Sequence, residues 1–223
     1  MEDKKVTLKL DNVSKVFAKV ESDVVTHALS NVSVTMESGE FISLVGPSGC
    51  GKSTILRLVA GLIMPTLGKV TVDGKEIEGP EPNRGMVFQK PTLFPWLTVE
   101  KNIGFSLQMQ GKLKGNEGKV ERMLKVIGLE HFKDDYPGQL SGGMAQRVAL
   151  VRSLINEPEI LLLDEPLGAL DAFTRMNMQD EILGMWAHAK QLALMVTHDV
   201  DEAIYMGTRV LVMDANPGRI VAD

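Results

Sequence analysis

Gly46-Pro47-Ser48-Gly49-Cys50-Gly51-Lys52-Ser53-Thr54 decides how the rest of the chain is read. The stretch fits the pattern G-x-x-x-x-G-K-[ST]. The apolar run Phe41-Ile42-Ser43-Leu44-Val45 precedes it and reads as a buried parallel strand; residues 53–60 follow and read as a helix. Glycines let the backbone curl so that its N–H groups point inward. The helix adds the positive end of its dipole, and the result is a cradle for phosphate. In such a loop Lys52 reaches the β- and γ-phosphates of a nucleotide, and Ser53 ligates Mg²⁺. The bland alternative is a Gly-rich turn before an ordinary helix. The strand before the loop and the helix after it argue against that.

A second stretch narrows the chemistry. Ile160-Leu161-Leu162-Leu163-Asp164-Glu165 is four aliphatics and then two carboxylates. The apolar run fits a parallel strand buried on both faces. Carboxylates at its C-terminal end stand in the crevice where open α/β sheets bind ligands. Asp164 is placed to hold Mg²⁺ through water, and Glu165 to polarise an attacking water as general base. Between the two stretches lies Leu140-Ser141-Gly142-Gly143-Met144-Ala145-Gln146-Arg147. Small residues here precede a helix whose face runs Met144, Val148, Val151, Ile155, and a bare helix N-terminus is a second anion site.

L-S-G-G-x-x-Q-R resembles the signature of the ATP-binding cassette (ABC) transporter ATPases. With that resemblance come further expectations. Phe17 matches the aromatic that stacks on adenine. Gln89, after Gly85-Met86-Val87-Phe88, matches the glutamine that senses Mg²⁺ and the membrane partner. Asp171, in Ala169-Leu170-Asp171, matches the loop that crosses to a second subunit, and His198 matches the switch histidine. Ser141, Gly142, Gly143 and Gln146 are expected at the ATP of the opposite subunit. Asn83 to Gln89, Leu93 to Val99, Asp171 to Arg175 and Asn216 to Ile220 resemble the nitrate, sulfonate and taurine importers within the family. Ala145, Val151 and Ser153 depart from the usual residues beside the signature. Members also usually run on past the position of Arg219.

The resemblance implies an α/β fold: a P-loop NTPase core with a mainly parallel sheet, an antiparallel β layer and an inserted helical subdomain. It also implies one ABC ATPase domain over residues 1–223. Residues 1–88 and 156–223 would form the nucleotide-binding core, and residues from about 89 to 155 the helical part. ATP and Mg²⁺ are the expected cofactors. The expected partners are a second copy in a head-to-tail homodimer, an integral membrane permease and a solute-binding protein. The solute, a small anion such as nitrate, a sulfonate or taurine, would never touch the cassette.

Composition sets limits. A net charge of −5 argues against nucleic acid as a main partner. Cys50 is the only cysteine, so no internal disulfide can form, which fits a reducing cytoplasm. The opening Met1-Glu2-Asp3-Lys4-Lys5-Val6 lacks the apolar core of a signal peptide. No stretch approaches the roughly 20 apolar residues of a membrane span. A peripheral place at the cytoplasmic face of a membrane is therefore expected. Cys50 itself, beside Lys52 and a helix N-terminus, is either a reactive thiol or a buried inert one.

Periodicity fills in the rest. Val6, Leu8 and Leu10 alternate with polar residues, as do Val32, Val34 and Met36; Lys69 to Val72 runs into the turn Asp73-Gly74. Val120, Met123, Leu124 and Ile127 lie at helical spacing in a mostly helical region of about 95–155. The run Leu93-Phe94-Pro95-Trp96-Leu97 is broken by proline and predicts a loop that docks a permease helix. Two other classes compete with this reading. Soluble ABC-type ATPases of DNA repair or translation usually carry a coiled-coil insertion or a second cassette; here the phosphate loop and the signature lie close together in sequence with no charged heptads between them. A non-hydrolysing scaffold would be expected to lack Glu165 or His198.

Overall fold

Three runs of five residues build the centre of the molecule. In the computed structural model, which describes residues 5–18, 25–168 and 170–223, the strands β3 (Phe41–Val45), β7 (Ile160–Asp164) and β8 (Leu192–Val196) are buried along their whole length. They lie in a six-stranded sheet with β6 (Arg84–Val87), β9 (Arg209–Asp214) and β10 (Arg219–Ala222), ordered β10-β9-β3-β8-β7-β6. All neighbours are parallel except β9 and β10.

Side chains alternate across a strand, so each run feeds two cores. Ile42, Leu44, Ile160, Leu162 and Leu194 face helix α1 (Lys52–Val59) and join Ile55, Leu56 and Val59. That core is closed by a second, antiparallel sheet. It consists of β1 (Thr7–Ala18), β2 (Val25–Glu37), β4 (Leu67–Val72) and β5 (Lys75–Glu76), ordered β2-β1-β4-β5. Phe41, Leu161, Leu163 and Met195 face the other way, onto α4 (Gly142–Leu154), α5 (Ala172–Ala189) and α6 (Val200–Met206).

A third core joins α2 (Val99–Met109), α3 (Glu117–Val126) and α4. The expected face of α4 is there: Val148, Val151 and Ile155 are buried, with Met144 half-buried beside them. Leu150 and Leu154 on the same helix belong to the sheet's core instead. α4 is thus shared between two cores.

Two elements go beyond the sequence reading. β6 is a strand although Arg84 and Gly85 interrupt its apolar pattern; it adds to the sheet by parallel pairing with β7. α6 follows His198 directly. Asp199 caps it by accepting from the Glu202 N–H at 3.1 Å. The pair Asp199…Glu202 is the D-x-x-E spacing of a capping box, a signal that was available. Met1 to Lys4 and Ala169, which entered the sequence argument, lie outside the described residues.

Candidate active site

β3 ends at Val45, and the loop that follows is held between β2 and β9 by close backbone approach. A Cβ on Gly46 would lie 2.6 Å from the Met213 carbonyl oxygen. Gly51, the residue before α1, has φ +94°, and a Cβ there would lie 2.6 Å from Leu29 Cδ2 and 2.8 Å from the Ala28 oxygen. Only glycine meets both demands. Pro47, Ser48 and Gly49 form an exposed tip, while Ser53 and Thr54 are half-buried in the first turn of α1. Lys52 folds over its own loop and donates to the Gly46 carbonyl at 2.7 Å and the Pro47 carbonyl at 3.1 Å. Of the two expectations for Cys50, burial prevails. Its thiol is 0% exposed in the core beneath the loop, with Lys52 Nζ at 3.8 Å.

Ser53 Oγ donates to Asp164 Oδ1 at 2.9 Å, so the helix after the loop and the end of β7 meet where the sequence placed Mg²⁺. Burial pushes the Asp164 carboxyl above its ordinary range. The Ser53 hydrogen bond opposes that, neighbouring Glu165 reinforces it, and Arg57 and Lys52 draw it back.

Glu165 sits one residue beyond the strand in a left-handed conformation, φ +45°, with its N–H on the Val196 carbonyl at 2.9 Å. That conformation is uncommon for a residue with a Cβ and costs on the order of 1–2 kcal/mol. It brings one carboxylate oxygen against two side chains. Gln89 Nε2 donates to Glu165 Oε2 at 2.7 Å, and His198 Nδ1 lies 3.5 Å from the same oxygen. Gln89 follows β6, Glu165 follows β7 and His198 follows β8, three adjacent parallel strands. Their common edge gathers the three residues, as the crevice argument requires. The His198 side chain is 66% exposed, so its ring is open to whatever binds at this edge.

Phe17 is partly exposed near the end of β1, with Lys15 Nζ 5.1 Å from its ring centroid. It pairs with Thr26 on β2, the strand whose Ala28 carbonyl flanks Gly51.

Ser141 caps α4, its Oγ accepting from the Met144 N–H at 3.2 Å. Ser141 and Gly142 are on the surface. A Cβ on Gly143 would lie 3.0 Å from Leu170 Cδ2, so this helix end abuts the loop before Asp171. Asp171 caps α5 and accepts from the Thr174 N–H at 3.0 Å; hydrogen bonding from Thr174 holds its carboxyl below the usual range. Gln146 departs from the expectation made for it. It is 3% exposed, and its amide donates to the Phe88 carbonyl at 3.3 Å. It lies behind the signature rather than on its open side. Among the described residues no hydrogen bond joins residues 46–54 to residues 141–143. The sequence reading also missed the role of Arg175, which ties the turn before α5 to the turn before α6 by pairing with Asp199 at 3.4 Å and donating to the Leu170 carbonyl at 3.1 Å.

A parallel sheet edge with a phosphate loop, an adjoining carboxylate pair and a separate signature helix defines a nucleotide-hydrolysing cassette. The family profile described as "ABC transporter" matches residues 29–168, and the chain belongs to that family as an ATP-binding, ATP-hydrolysing member. The aliphatic sulfonates import ATP-binding protein SsuB of Bacillus cereus is 45% identical over 215 residues, 96% of this chain and 84% of that protein. The taurine import ATP-binding protein TauB of Roseobacter denitrificans is 46% identical over 214 residues, 96% of this chain and 80% of that protein. The dimeric post-hydrolysis structure of the ATP-binding cassette MJ0796 with ADP and Pi superposes with a TM-score of 0.85 at 32% identity, covering 96% of this chain and 97% of that one. The P-loop NTPase α/β fold expected from the sequence is therefore the fold the chain has.

Proposed function

We propose that the chain is the ATP-hydrolysing subunit of an importer for a small sulfonate, taurine included. It would work as a head-to-tail pair at the cytoplasmic face of a separate membrane permease that a solute-binding protein supplies. The observation that carries the catalytic part is the shared oxygen of Glu165, held by Gln89 and faced by His198. A carboxylate fixed at the mouth of a phosphate loop can take a proton from water as that water attacks phosphorus. Lys52 exchanges its loop carbonyls for phosphate oxygens when ATP enters, and Phe17 offers its open face to the adenine. Ser53 Oγ, Asp164 and the Gln89 amide oxygen are hard oxygen donors of the kind Mg²⁺ takes alongside substrate phosphates. Mg²⁺ held there neutralises charge on the phosphates.

Ser141, Gly142 and Gly143 stand at the N-terminal end of α4, and among the described residues nothing in their own chain's phosphate loop bonds to them. A second copy's ATP gives that helix end its anion. Asp171, beside Gly143 through Leu170, borders the same seam. On this reading residues 1–88 and 156–223 move as the nucleotide-binding core and residues from about 89 to 155 as the helical part.

The permease side rests on a cleft of about 570 Å³ between α2 and α3. Gly104, Leu113 and Val120 line it, with Glu100, Lys101, Lys114 and Glu117 among its charged residues. Trp96, 70% exposed, stands just before α2, and Phe94 beside it is half-buried against Phe105. An apolar groove with charged margins suits a short amphipathic helix. No helix among the described residues is long and apolar enough to cross a membrane, so contact with a permease would be by docking.

The test separates hydrolysis from binding. Glu165→Gln should lower phosphate release by about 10² to 10⁴ while ATP still binds. Lys52→Ala should weaken binding itself. If both variants fail in the same way, the division of roles is wrong.

A further inference from the structure

α4 does more than present the signature. Three of its side chains hold the main chain on either side of Gln89. Gln146 Nε2 donates to the Phe88 carbonyl at 3.3 Å. Ser153, seven residues on and hence on the same face of the helix, places its Oγ 3.0 Å from the Met86 carbonyl. Arg152 donates to the Thr92 carbonyl at 2.9 Å and lies over the Phe94 ring at 5.4 Å. The Met86 and Phe88 carbonyls are two residues apart and so emerge on the same side of the strand. The helix packs into two cores at once, so a displacement of any part of it is passed along its length.

Gln146 is an unusual occupant for this place. It lines a mostly apolar cavity with Val87, Leu150, Pro166, Leu167 and Leu170, Arg147 being the one charged member, and its Oε1 is buried with no hydrogen-bond partner among the described residues. A buried amide with one oxygen unsatisfied costs stability relative to an apolar side chain of similar length. What it contributes is therefore its one bond, to the residue before Gln89.

We infer that Gln146 is a positioning residue: with Ser153 it clasps the strand leading into Gln89, and so holds the Gln89 amide in register with Glu165. The clasp rests on the reading of Gln89 and Glu165 given above. Its consequence is that the helix capping one ATP sets the general base acting on the other. A shift of α4 when a partner's nucleotide arrives is carried through Phe88 to Gln89, and from Gln89 to the Glu165 carboxylate.

The experiment compares the full chain with Gln146→Met, Gln89→Ala and the double variant in steady-state hydrolysis, ATP affinity and thermal unfolding. Gln146→Met should lower kcat about fivefold, the worth of one hydrogen bond. ATP affinity should be unchanged and Tm should not fall. In the Gln89→Ala background the same substitution should do nothing further, because the bond acts only through Gln89. A double variant slower than Gln89→Ala by the same factor overturns the clasp, as does a Gln146→Met variant that loses stability and turnover together. Gln89→Ala turning over like wild type would instead overturn the reading of Gln89 itself, and the clasp with it. Should Gln146→Met fail to fold, Ser153→Ala takes its place, with about a twofold loss expected and again none in the Gln89→Ala background.

Discussion

Substituting Gly51 by alanine tests the phosphate loop at its tightest point. Two costs can be worked out from the structure. At φ +94° any residue with a Cβ is strained, by on the order of 1–2 kcal/mol. The new Cβ would also meet Leu29 Cδ2 at 2.6 Å and the Ala28 oxygen at 2.8 Å, both well inside ordinary contact. Leu29 is 1% exposed and has no free direction to move. The Ala28 carbonyl accepts the Gly218 N–H at 3.1 Å, so displacing it disturbs a second loop. Overpacking of this kind costs about 1–3 kcal/mol. The sum, about 2–5 kcal/mol, corresponds to a fall in Tm of roughly 4–20 °C for a chain of this size. Gly49→Ala is the control. Its φ is +78°, but nothing lies within 4 Å of the added Cβ, so it bears only the conformational cost. Thermal unfolding of both variants isolates the steric part. ATP affinity should fall about tenfold or more for Gly51→Ala, because a displaced loop misaims N–H groups that bond a charged ligand. Equal stability and equal ATP affinity in the two variants would refute the reasoning.

The remaining predictions concern the metal and the membrane. Burial holds the Asp164 carboxyl protonated to higher pH than an ordinary carboxylate. The Mg²⁺ needed for half-maximal hydrolysis should therefore rise as pH falls through that raised range, and Asp164→Asn should abolish the trend; a trend unchanged in Asp164→Asn would assign it elsewhere. Trp96→Ser should leave hydrolysis by the isolated subunit within about twofold of wild type, since an exposed side chain contributes little to stability. It should weaken co-purification with the permease and reduce uptake. Normal uptake would move the docking surface away from Trp96.

Much of this was legible in the sequence because the decisive residues are tied to strand ends. Phe41 to Val45, apolar but for Ser43, and the continuous aliphatic run Ile160 to Leu163 fit central strands buried on both faces, whose ligand-binding edge lies at their C-terminal ends. That placed Lys52, Ser53, Asp164 and Glu165 without coordinates, and Ser53 does meet Asp164. The antiparallel layer followed from alternation in β1, β2 and β4. What the sequence hid was conformation and partnership. The left-handed turn at Glu165 has no signal, since neither glycine nor asparagine stands there. The burial of Gln146 was masked by its neighbours, because Ser141 and Gly142 are on the surface while Gln146, one turn further along the helix, points inward. β6 was hidden because Arg84 and Gly85 spoil its pattern, and its pairing with β7 supplies what its own residues lack. The burial of Cys50 depends on β2 and β9 closing over the loop, contacts that are remote in sequence.

The central claim is that each ATP is held by residues 46–54 of one copy and capped by Ser141 to Gly143 of another. It is tested most directly by the mass of the purified Glu165→Gln chain in light scattering, with and without ATP. Without nucleotide the chain should run as a monomer. With ATP and Mg²⁺ it should shift to a dimer, because binding is kept and hydrolysis is not. Adding Ser141→Arg should abolish the shift while leaving ATP binding to the monomer intact, since the bulk falls where the partner's γ-phosphate must sit. A Ser141→Arg chain that still dimerises on ATP, or a Glu165→Gln chain that binds ATP and stays monomeric, would contradict the composite site.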